Sequence, residues 1–244
     1  MDVVKDFLAE REQLSVHMSG EKSLEDLSKS FIEKTGPFKY TYNFDWLGLP
    51  IIQFPQDIVA MQEIIWKTKP DLIIEAGVAR GGSLTLSASI LHLLNGSGHV
   101  IGVDIDIRSH NREAIENHPL AHRISLIQGS SIDPSIVEQV KKYVKSGDRV
   151  MVILDSNHTH DHVLEELRLY SPLVTKECYL VVMDTVVEDM PEDYFPDRPW
   201  GKGDNPKTAV HAFMKETDRF EIDESIHNKL LITVAPDGYL KCTE

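Results

Sequence analysis

The stretch DLIIEAGVARGGSLTLSASILHLL at residues 71–94 decides the fold. It opens with an apolar run at residues 72–74, which indicates a buried strand that stops at Glu75. Glycines follow, and Ser83 is then placed to cap a helix that ends before Asn95. A strand, a glycine turn and a helix in this order are typical of an α/β unit that binds a nucleotide or another cofactor at the carboxyl end of the strand.

The same alternation continues toward the C-terminus. We expect strands at residues 71–76, 99–104, 124–128, 149–155 and 178–184, and helices at residues 82–94, 111–117, 134–145 and 161–170. The strands are continuous apolar runs, which indicates burial on both faces. This predicts an α/β fold of the Rossmann-like kind, with a doubly wound, mostly parallel sheet and helices on both faces. At the chain end, FEID and KLLITVAPDG predict a last pair of strands joined by a turn at residues 225–228.

Two segments lie outside this alternation. Residues 1–35 carry apolar stripes at helical spacing, and the aromatic, proline-containing loop that follows leads to a helix beginning at Gln56 or Asp57. We therefore predict a helical arm with an aromatic loop at residues 1–50 and an α/β domain at residues 51–244. The arm either packs on the domain or contacts a second subunit. Residues 185–205 are too long for an ordinary connection, which indicates a lid or a binding loop before a helix capped by Asn205.

The composition excludes several classes of protein. The 244 residues are 41% hydrophobic, which suits one α/β domain with a short extension. With 25 Lys and Arg against 39 Asp and Glu, the net charge of −14 argues against nucleic acid and anionic membranes as partners. Two cysteines give neither a disulfide framework nor a cysteine-based zinc site. The N-terminal stretch is charged and no apolar run would span a bilayer, so we expect a cytoplasmic protein.

The glycine turn indicates which cofactor it suits. It lacks the GxGxxG and P-loop patterns, and Glu75 stands just before its first glycine, where a carboxylate would repel a pyrophosphate. The cationic methionine end of S-adenosylmethionine would be favoured there instead. Asp104 ends the next strand and can accept hydrogen bonds from ribose hydroxyls, and QGSS at residues 128–131 ends the third strand, where the adenine would lie. The alternative is a glycine turn that serves only the strand–helix geometry.

Acidic and histidine side chains follow the fourth and fifth predicted strands. Asp155 and Asp184 end these strands, which meet at one edge of a parallel sheet, and their oxygens suit Mg²⁺. His158 lies in the turn after Asp155, where an imidazole can take a proton from a substrate hydroxyl. Three alternatives stay open. Either acid can be a helix cap, His160 and His162 can be surface residues or residues at a helix start, and the histidine run can bind zinc directly.

These motifs together resemble the cephalosporin hydroxylase family of bacterial proteins. The matching stretches are LGLPIIQFPQDIVAMQEIIW (47–66), EAGVARGGS (75–83), VIGVDIDIRSHNREAIENHP (100–119), RISLIQGSS (123–131) and VILDSNHTHDHVLEEL (152–167). Despite its name, that family has the class I S-adenosylmethionine-dependent methyltransferase fold and includes proteins similar to rhamnosyl O-methyltransferases. The resemblance implies a seven-stranded sheet with a reversed last strand, S-adenosylmethionine at the first strand's turn, and Mg²⁺ held by acids after the fourth and fifth strands.

Carried onto this sequence, the resemblance assigns roles to individual residues. The predicted cofactor residues are Glu75, Gly77, Ala79, Arg80, Gly81, Ser83, Asp104, Ile105, Ser130, Ser131 and Asp155. The predicted metal ligands are Asp155 and Asp184, with Thr185 as the third, and with Glu188, Asp189 or water as alternatives to it. His158 and Asp155 are the predicted catalytic residues.

The predicted activity is a Mg²⁺-dependent O-methyltransferase that acts on a small molecule, such as a saccharide, a nucleotide sugar or a natural-product intermediate. Tyr194, Phe195 and Trp200 either stack on a sugar ring or anchor the loop that contains them. The arm and the family indicate a homo-oligomer. The alternatives are a metal-dependent hydroxylase and a non-catalytic cofactor-binding partner of a biosynthetic complex. Against the hydroxylase, the sequence has no recognisable two-histidine, one-carboxylate iron site.

Overall fold

The computed structural model describes residues 2–244. The α-helices are α1 (Val3–Ser19), α2 (Lys22–Thr35), α3 (Pro55–Thr68), α4 (Gly82–Leu93), α5 (Ser109–Glu116), α6 (Pro134–Lys141), α7 (His160–Tyr170), α8 (Pro206–Phe213) and α9 (Glu224–Leu230). The strands are β1 (Phe44–Trp46), β2 (Leu49–Ile51), β3 (Leu72–Ala76), β4 (His99–Asp104), β5 (Ile124–Gln128), β6 (Val150–Leu154), β7 (Tyr179–Val182), β8 (Phe220–Ile222) and β9 (Tyr239–Cys242).

Seven strands form one sheet in the order β5-β4-β3-β6-β7-β9-β8. The first five in that order run parallel, and β9 pairs antiparallel with both β7 and β8. Ile73 packs into one apolar core and its neighbour Ile74 into another, so the two faces of the sheet are separately covered. These observations confirm the predicted α/β fold of the class I methyltransferases, including the reversed strand.

The predicted elements from residue 71 to residue 184 are confirmed, with ends that differ by a few residues. The predicted start of α3 and the predicted cap of α4 are wrong. Helix α3 begins at Pro55, whose fixed φ suits the first helical position, with Phe54 before it. Helix α4 begins at Gly82 after Gly81, because the Ser83 hydroxyl bonds to the Glu75 carboxylate instead of capping the helix.

The predicted strand KLLITVAPDG is also wrong. Residues 224–230 form α9, which Asp223 caps by accepting a hydrogen bond from the Ser225 amide. Pro236 has no amide hydrogen to donate to a ladder, and Asp237 has a φ of 63°, so the chain turns there. The last strand, β9, begins only at Tyr239.

The N-terminal arm contacts the rest of the molecule unevenly. Helix α1 lies along α9 and has no buried residue, whereas Ile32 of α2 belongs to the core. Strands β1 and β2 form an antiparallel hairpin that crosses the predicted boundary between residues 50 and 51. The predicted division into two units stays a prediction.

The predicted lid at residues 185–205 is held at its middle and at its ends. In the middle, the Tyr194 hydroxyl lies 3.2 Å from the carbonyl oxygens of Ile32 and Glu33 in α2, to which it donates. The two ends are joined, because the Glu188 carboxylate accepts hydrogen bonds from the Gly203 amide and the Asn205 side chain. Asn205 caps α8 with Pro206 at its first position, as predicted. Among residues 2–244, no helix combines the length and the apolarity needed to cross a membrane.

Candidate active site

The glycine turn brings the ends of β3 and β6 into close contact. Gly77 has a φ of 101°, and a Cβ on it would lie 1.9 Å from the Asp155 carbonyl oxygen. Gly81 has a φ of 85°, and Ala79 between them has a φ of 45°. Only glycine fits at residue 77, because a side chain would separate the two strand ends. The turn therefore exposes backbone beside Asp155.

Glu75 is fully buried behind this turn. Its Oε1 accepts a hydrogen bond from the Ser83 hydroxyl, and its Oε2 has no partner among residues 2–244. Burial raises the pKa of Glu75 to about 8; the Ser83 hydrogen bond acts against this rise and the charge of Asp155 adds to it. A buried carboxyl with a free oxygen and a raised pKa is suited to a cationic group arriving from the turn.

Asp104, at the end of β4, holds the glycine turn by hydrogen bonds. Its Oδ2 accepts hydrogen bonds from the amides of Val78, at 2.8 Å, and Ala79, at 3.4 Å, while Oδ1 accepts one from the Asp106 amide at 3.0 Å. A carboxylate has about four lone-pair positions, so capacity remains for a further donor. Asp104 shapes the turn in addition to the ribose-binding role that the sequence predicts.

Two adjoining clefts collect the predicted cofactor residues. The strand-end cleft has a volume of about 350 Å³ and is lined by Gly77, Ala79, Asp104, Ile105, Ser130, Ser131 and Asp155 among others. The turn cleft is lined by Gly77, Ala79, Arg80, Gly81, Ser83 and Asp155, together with residues 50–53. Ile105 is exposed, so its apolar side chain is accessible from the strand-end cleft. Glu75 alone among the predicted residues lines neither cleft, and it reaches the turn cleft through Ser83.

Asp155, His158 and Asp184 converge at the edge of the strand-end cleft. His158 Nε2 lies 3.6 Å from Asp155 Oδ1, and Nδ1 lies 3.2 Å from Asp184 Oδ2. One atom from each residue falls within 4.8 Å of the others, a spacing that suits one metal ion. Asp184 has a φ of 55°, a strained conformation of the kind that concentrates at functional sites.

Burial and close charges shift the pKa values of His158 and Asp155. Burial lowers the pKa of His158, but the charges of Asp184 and Asp155 more than offset this effect and raise it to about 9. Burial raises the pKa of Asp155 to about 6, against the hydrogen bond from His158. Within the protein, the positive charge that faces the two carboxylates is therefore that of His158.

The structure turns Thr185, the predicted third ligand, away from this group. Its buried hydroxyl donates a hydrogen bond to the Pro236 carbonyl at 2.5 Å. The alternatives are also engaged elsewhere, because Glu188 accepts from Gly203 and Asn205, and Asp189 pairs with Lys207 at 2.7 Å. Of the third ligands that the sequence left open, water therefore remains, and His158 is the third side chain beside the two acids.

Sequence reasoning missed several residues of the site. Ser156, Asn157 and His162 line the strand-end cleft, and so does Trp200, which the sequence had already singled out as an aromatic that stacks on a sugar ring or anchors its loop. His162 Nε2 lies 3.1 Å from the Ser131 hydroxyl, so it is not the surface residue that the sequence allowed, and its spacing of four from Glu166 was the available signal. The Trp200 ring centroid lies 4.8 Å from that of His158. His160 instead contacts Thr208 and joins α7 to α8.

Comparisons with protein families, curated sequences and solved structures find similar proteins. A family model described as Rhamnosyl O-methyltransferase/CmcI matches residues 38–243. The chain is 31% identical over 200 residues to a rhamnosyl O-methyltransferase of Mycobacterium bovis, covering 80% of this chain and 76% of that protein. It is also 31% identical over 199 residues to one of Mycobacterium leprae, covering 80% and 81%. A CmcI structure with Mg and SAM matches with a TM-score of 0.56 at 19% identity, covering 83% of this chain and 78% of that one.

Proposed function

The chain belongs to the Rhamnosyl O-methyltransferase/CmcI family, and on that basis we propose that it is an S-adenosylmethionine- and Mg²⁺-dependent O-methyltransferase acting on a hydroxyl of a sugar-like small molecule. The observation that carries the proposal is the convergence of Asp155, His158 and Asp184 at the edge of the strand-end cleft. The names of the relatives support the sugar-like acceptor, and the Mg and SAM of the CmcI structure support both cofactors.

We propose that the two clefts together hold S-adenosylmethionine. Asp104 would accept from the ribose hydroxyls, and Ile105, Ser130 and Ser131 would surround the adenine. The glycine turn and Arg80 would contact the methionine end, with Glu75 facing its positive charge. The bound cofactor supplies a methyl sulfonium. The chain's contribution is to fix that group's position and keep it beside Asp155.

The donor set fits a divalent cation. Two carboxylates offer the oxygen ligands that Mg²⁺ prefers, and a single imidazole with two acids differs from the two-histidine, one-carboxylate set typical of oxygenase iron. When bound, Mg²⁺ supplies positive charge that lowers the pKa of an acceptor hydroxyl and orients it. Asp155 and Asp184 would hold it.

We propose that His158 takes the proton from the acceptor hydroxyl. The imidazole is half-buried at the cleft edge, with Asp155 and Asp184 on one side and Trp200 on the other. Once the two carboxylates are neutralised by a cation, the cause of the raised pKa of His158 is removed, and the ring can be a neutral base. The carboxylates then fix the direction in which its nitrogens point.

The loop at residues 185–205 would cover the acceptor. Tyr194 packs edge-on against Phe195 and bonds to α2, which favours the anchoring role for these two aromatics. Trp200 lies beside His158 and lines the cleft, with the Arg198 guanidinium 5.2 Å from its ring centroid. Trp200 is therefore the aromatic side chain that we expect to stack on a sugar ring.

The test is a calorimetric titration with S-adenosylmethionine, with and without Mg²⁺, followed by transfer of labelled methyl to rhamnose-containing acceptors. We expect binding of one cofactor per chain and transfer that a chelator abolishes. Turnover that needs iron and oxygen without S-adenosylmethionine would establish the hydroxylase instead. Cofactor binding with no transfer to any acceptor would favour the non-catalytic alternative.

Two expectations from the sequence stay predictions. The homo-oligomer is supported by the exposed apolar side chains of α1, such as Val3 and Phe7. The cytoplasmic location is the second of these expectations. Sedimentation velocity and fractionation of cells would test them.

A further inference from the structure

Gln53 is a buried polar side chain in the connection between β2 and α3. It is 3% exposed, and its Oε1 has no hydrogen-bond partner among residues 2–244. Buried amide oxygens in proteins are almost always paired, so an unpaired one on a side chain that lines a ligand cleft points to the ligand as its partner. Gln53 lines the turn cleft with the glycine turn and Asp155, which places this side chain at the proposed cofactor site.

The β1–β2 hairpin positions Gln53 at the turn cleft. Strand β2 ends at Ile51 and helix α3 begins at Pro55, so Gln53 lies in the short connection between them. The hairpin presses against the start of α4, because a Cβ on Gly82 would lie 2.3 Å from the Pro50 carbonyl oxygen. The position of Gln53 is thus fixed by strand, helix and glycine contacts.

The groups around the turn cleft have complementary chemistry. Gln53 and the Ser83–Glu75 pair offer oxygen acceptors, and Glu75 Oε2 is also without a partner. Arg80 is exposed and lines the same cleft, and no ion pair among residues 2–244 involves it. The cleft holds about 30 Å³, enough for a group the size of an ammonium. Acceptors on one side and a guanidinium on the other match the two charges of an α-amino acid.

We infer that Gln53 binds the amino-acid end of S-adenosylmethionine, with its Oε1 accepting a hydrogen bond from the α-ammonium group. The inference rests on the proposed function, because it assumes that the cofactor binds at this turn. Arg80 then pairs with the α-carboxylate. By holding the amino-acid group, Gln53 fixes the position of the sulfur and of the methyl group bound to it. The role belongs to the connection between β2 and α3, which the glycine motif does not include.

The experiment compares two ligands that differ only at this end. S-adenosylhomocysteine carries the amino-acid group, whereas 5′-methylthioadenosine keeps the adenosine and the sulfur without it. Their dissociation constants are measured by calorimetry for the wild type, Gln53→Leu, Gln53→Glu and Gln56→Leu. Gln56 is the matched control, since its Oε1 is also buried and without a partner, but it does not line the turn cleft.

We expect Gln53→Leu to weaken S-adenosylhomocysteine about tenfold and to change 5′-methylthioadenosine less than twofold. Gln53→Glu keeps an acceptor oxygen and should bind S-adenosylhomocysteine within about threefold of the wild type. Gln56→Leu should leave both ligands unchanged. Equal weakening of both ligands by Gln53→Leu, or of neither, would overturn the inference. Failure of the wild type to bind either nucleoside would instead overturn the proposed function.

Discussion

Two carboxylate sites in this molecule differ in how completely they are hydrogen-bonded. Asp57, in the first turn of α3, is fully buried and accepts hydrogen bonds from the Thr233 hydroxyl, the Val234 amide at 2.9 Å and the Tyr239 hydroxyl at 2.8 Å. Asp155 and Asp184 are 28% and 31% exposed, and His158 is the charged group beside them. The Asp57 site is closed, and the Asp155–Asp184 site is open.

The difference separates a structural carboxylate from a functional one. Burial raises the pKa of Asp57 to about 6, but three donors within the chain compensate it, and its complete burial keeps a ligand from reaching it. Asp57 also supports the open site. It holds Val234, whose carbonyl accepts a hydrogen bond from the Val186 amide at 3.1 Å, two residues beyond Asp184.

The largest effect is expected at the open site. Asp184→Asn removes a charge from the proposed metal site, so methyl transfer should fall about 10³-fold at a fixed Mg²⁺ concentration. The rate is measured with labelled S-adenosylmethionine. Asp218→Asn changes an exposed acid far from the cleft and is the control. Unchanged transfer in Asp184→Asn would contradict the assignment.

His158→Gln should reduce transfer by about 10²-fold, because it removes a base and keeps a side chain of similar length. The rate of the wild type should rise with pH through the titration of His158, and the variant should lose that dependence. Cofactor affinity, measured by calorimetry, should stay within about twofold, since the proposed base does not contact the adenosine. A variant with the wild-type pH profile would exclude His158 as the base.

At the closed site, the effect should appear in stability rather than in chemistry. Asp57→Ala leaves three donors without an acceptor, so the free energy of unfolding should drop by about 2 kcal/mol. Urea denaturation measures it. A fall in transfer rate with unchanged stability would mean that Asp57 acts mainly on the open site, through Val234, and the contrast between the two sites would not hold.

The smallest expected effect concerns Glu75. Its pKa of about 8 keeps it protonated at pH 7, and a cationic ligand beside it favours the ionised form. Binding of S-adenosylmethionine at pH 7 should therefore release up to about one proton, and affinity should rise as pH approaches 8. Calorimetry in buffers of different ionisation enthalpy measures the release. Glu75→Gln should abolish it, and release that persists in this variant would move the proton to another group.

Most strands of the domain could be predicted from the sequence, because a buried parallel strand is a continuous run of apolar residues. The run at residues 72–74 and the acids that end β4, β6 and β7 are read without knowledge of distant partners. The chain end was predicted less well. Helix α9 depends on Asp223 as its cap, and residues 233–235 are held by Asp57 from far along the chain, so local pattern did not identify them.

The charged residues of the site could be predicted from the sequence, but the side-chain contacts around them could not. The positions of Asp155, His158 and Asp184 at neighbouring strand ends follow from topology. The orientation of Thr185 toward Pro236 and the approach of Trp200 to His158 depend on packing between segments that are remote in sequence. Gln53 reaches its place through a hairpin of two three-residue strands, which are too short to leave a clear periodic signal.

The most direct test of the central claim is a titration with Mn²⁺, used in place of Mg²⁺ and followed by electron paramagnetic resonance. We predict one bound Mn²⁺ per chain in the wild type, loss of that binding in the Asp155→Asn and Asp184→Asn variants, and its retention in Asp218→Asn. Stoichiometric Mn²⁺ binding that survives the combined Asp155→Asn and Asp184→Asn change would contradict the claim that these two carboxylates hold the metal.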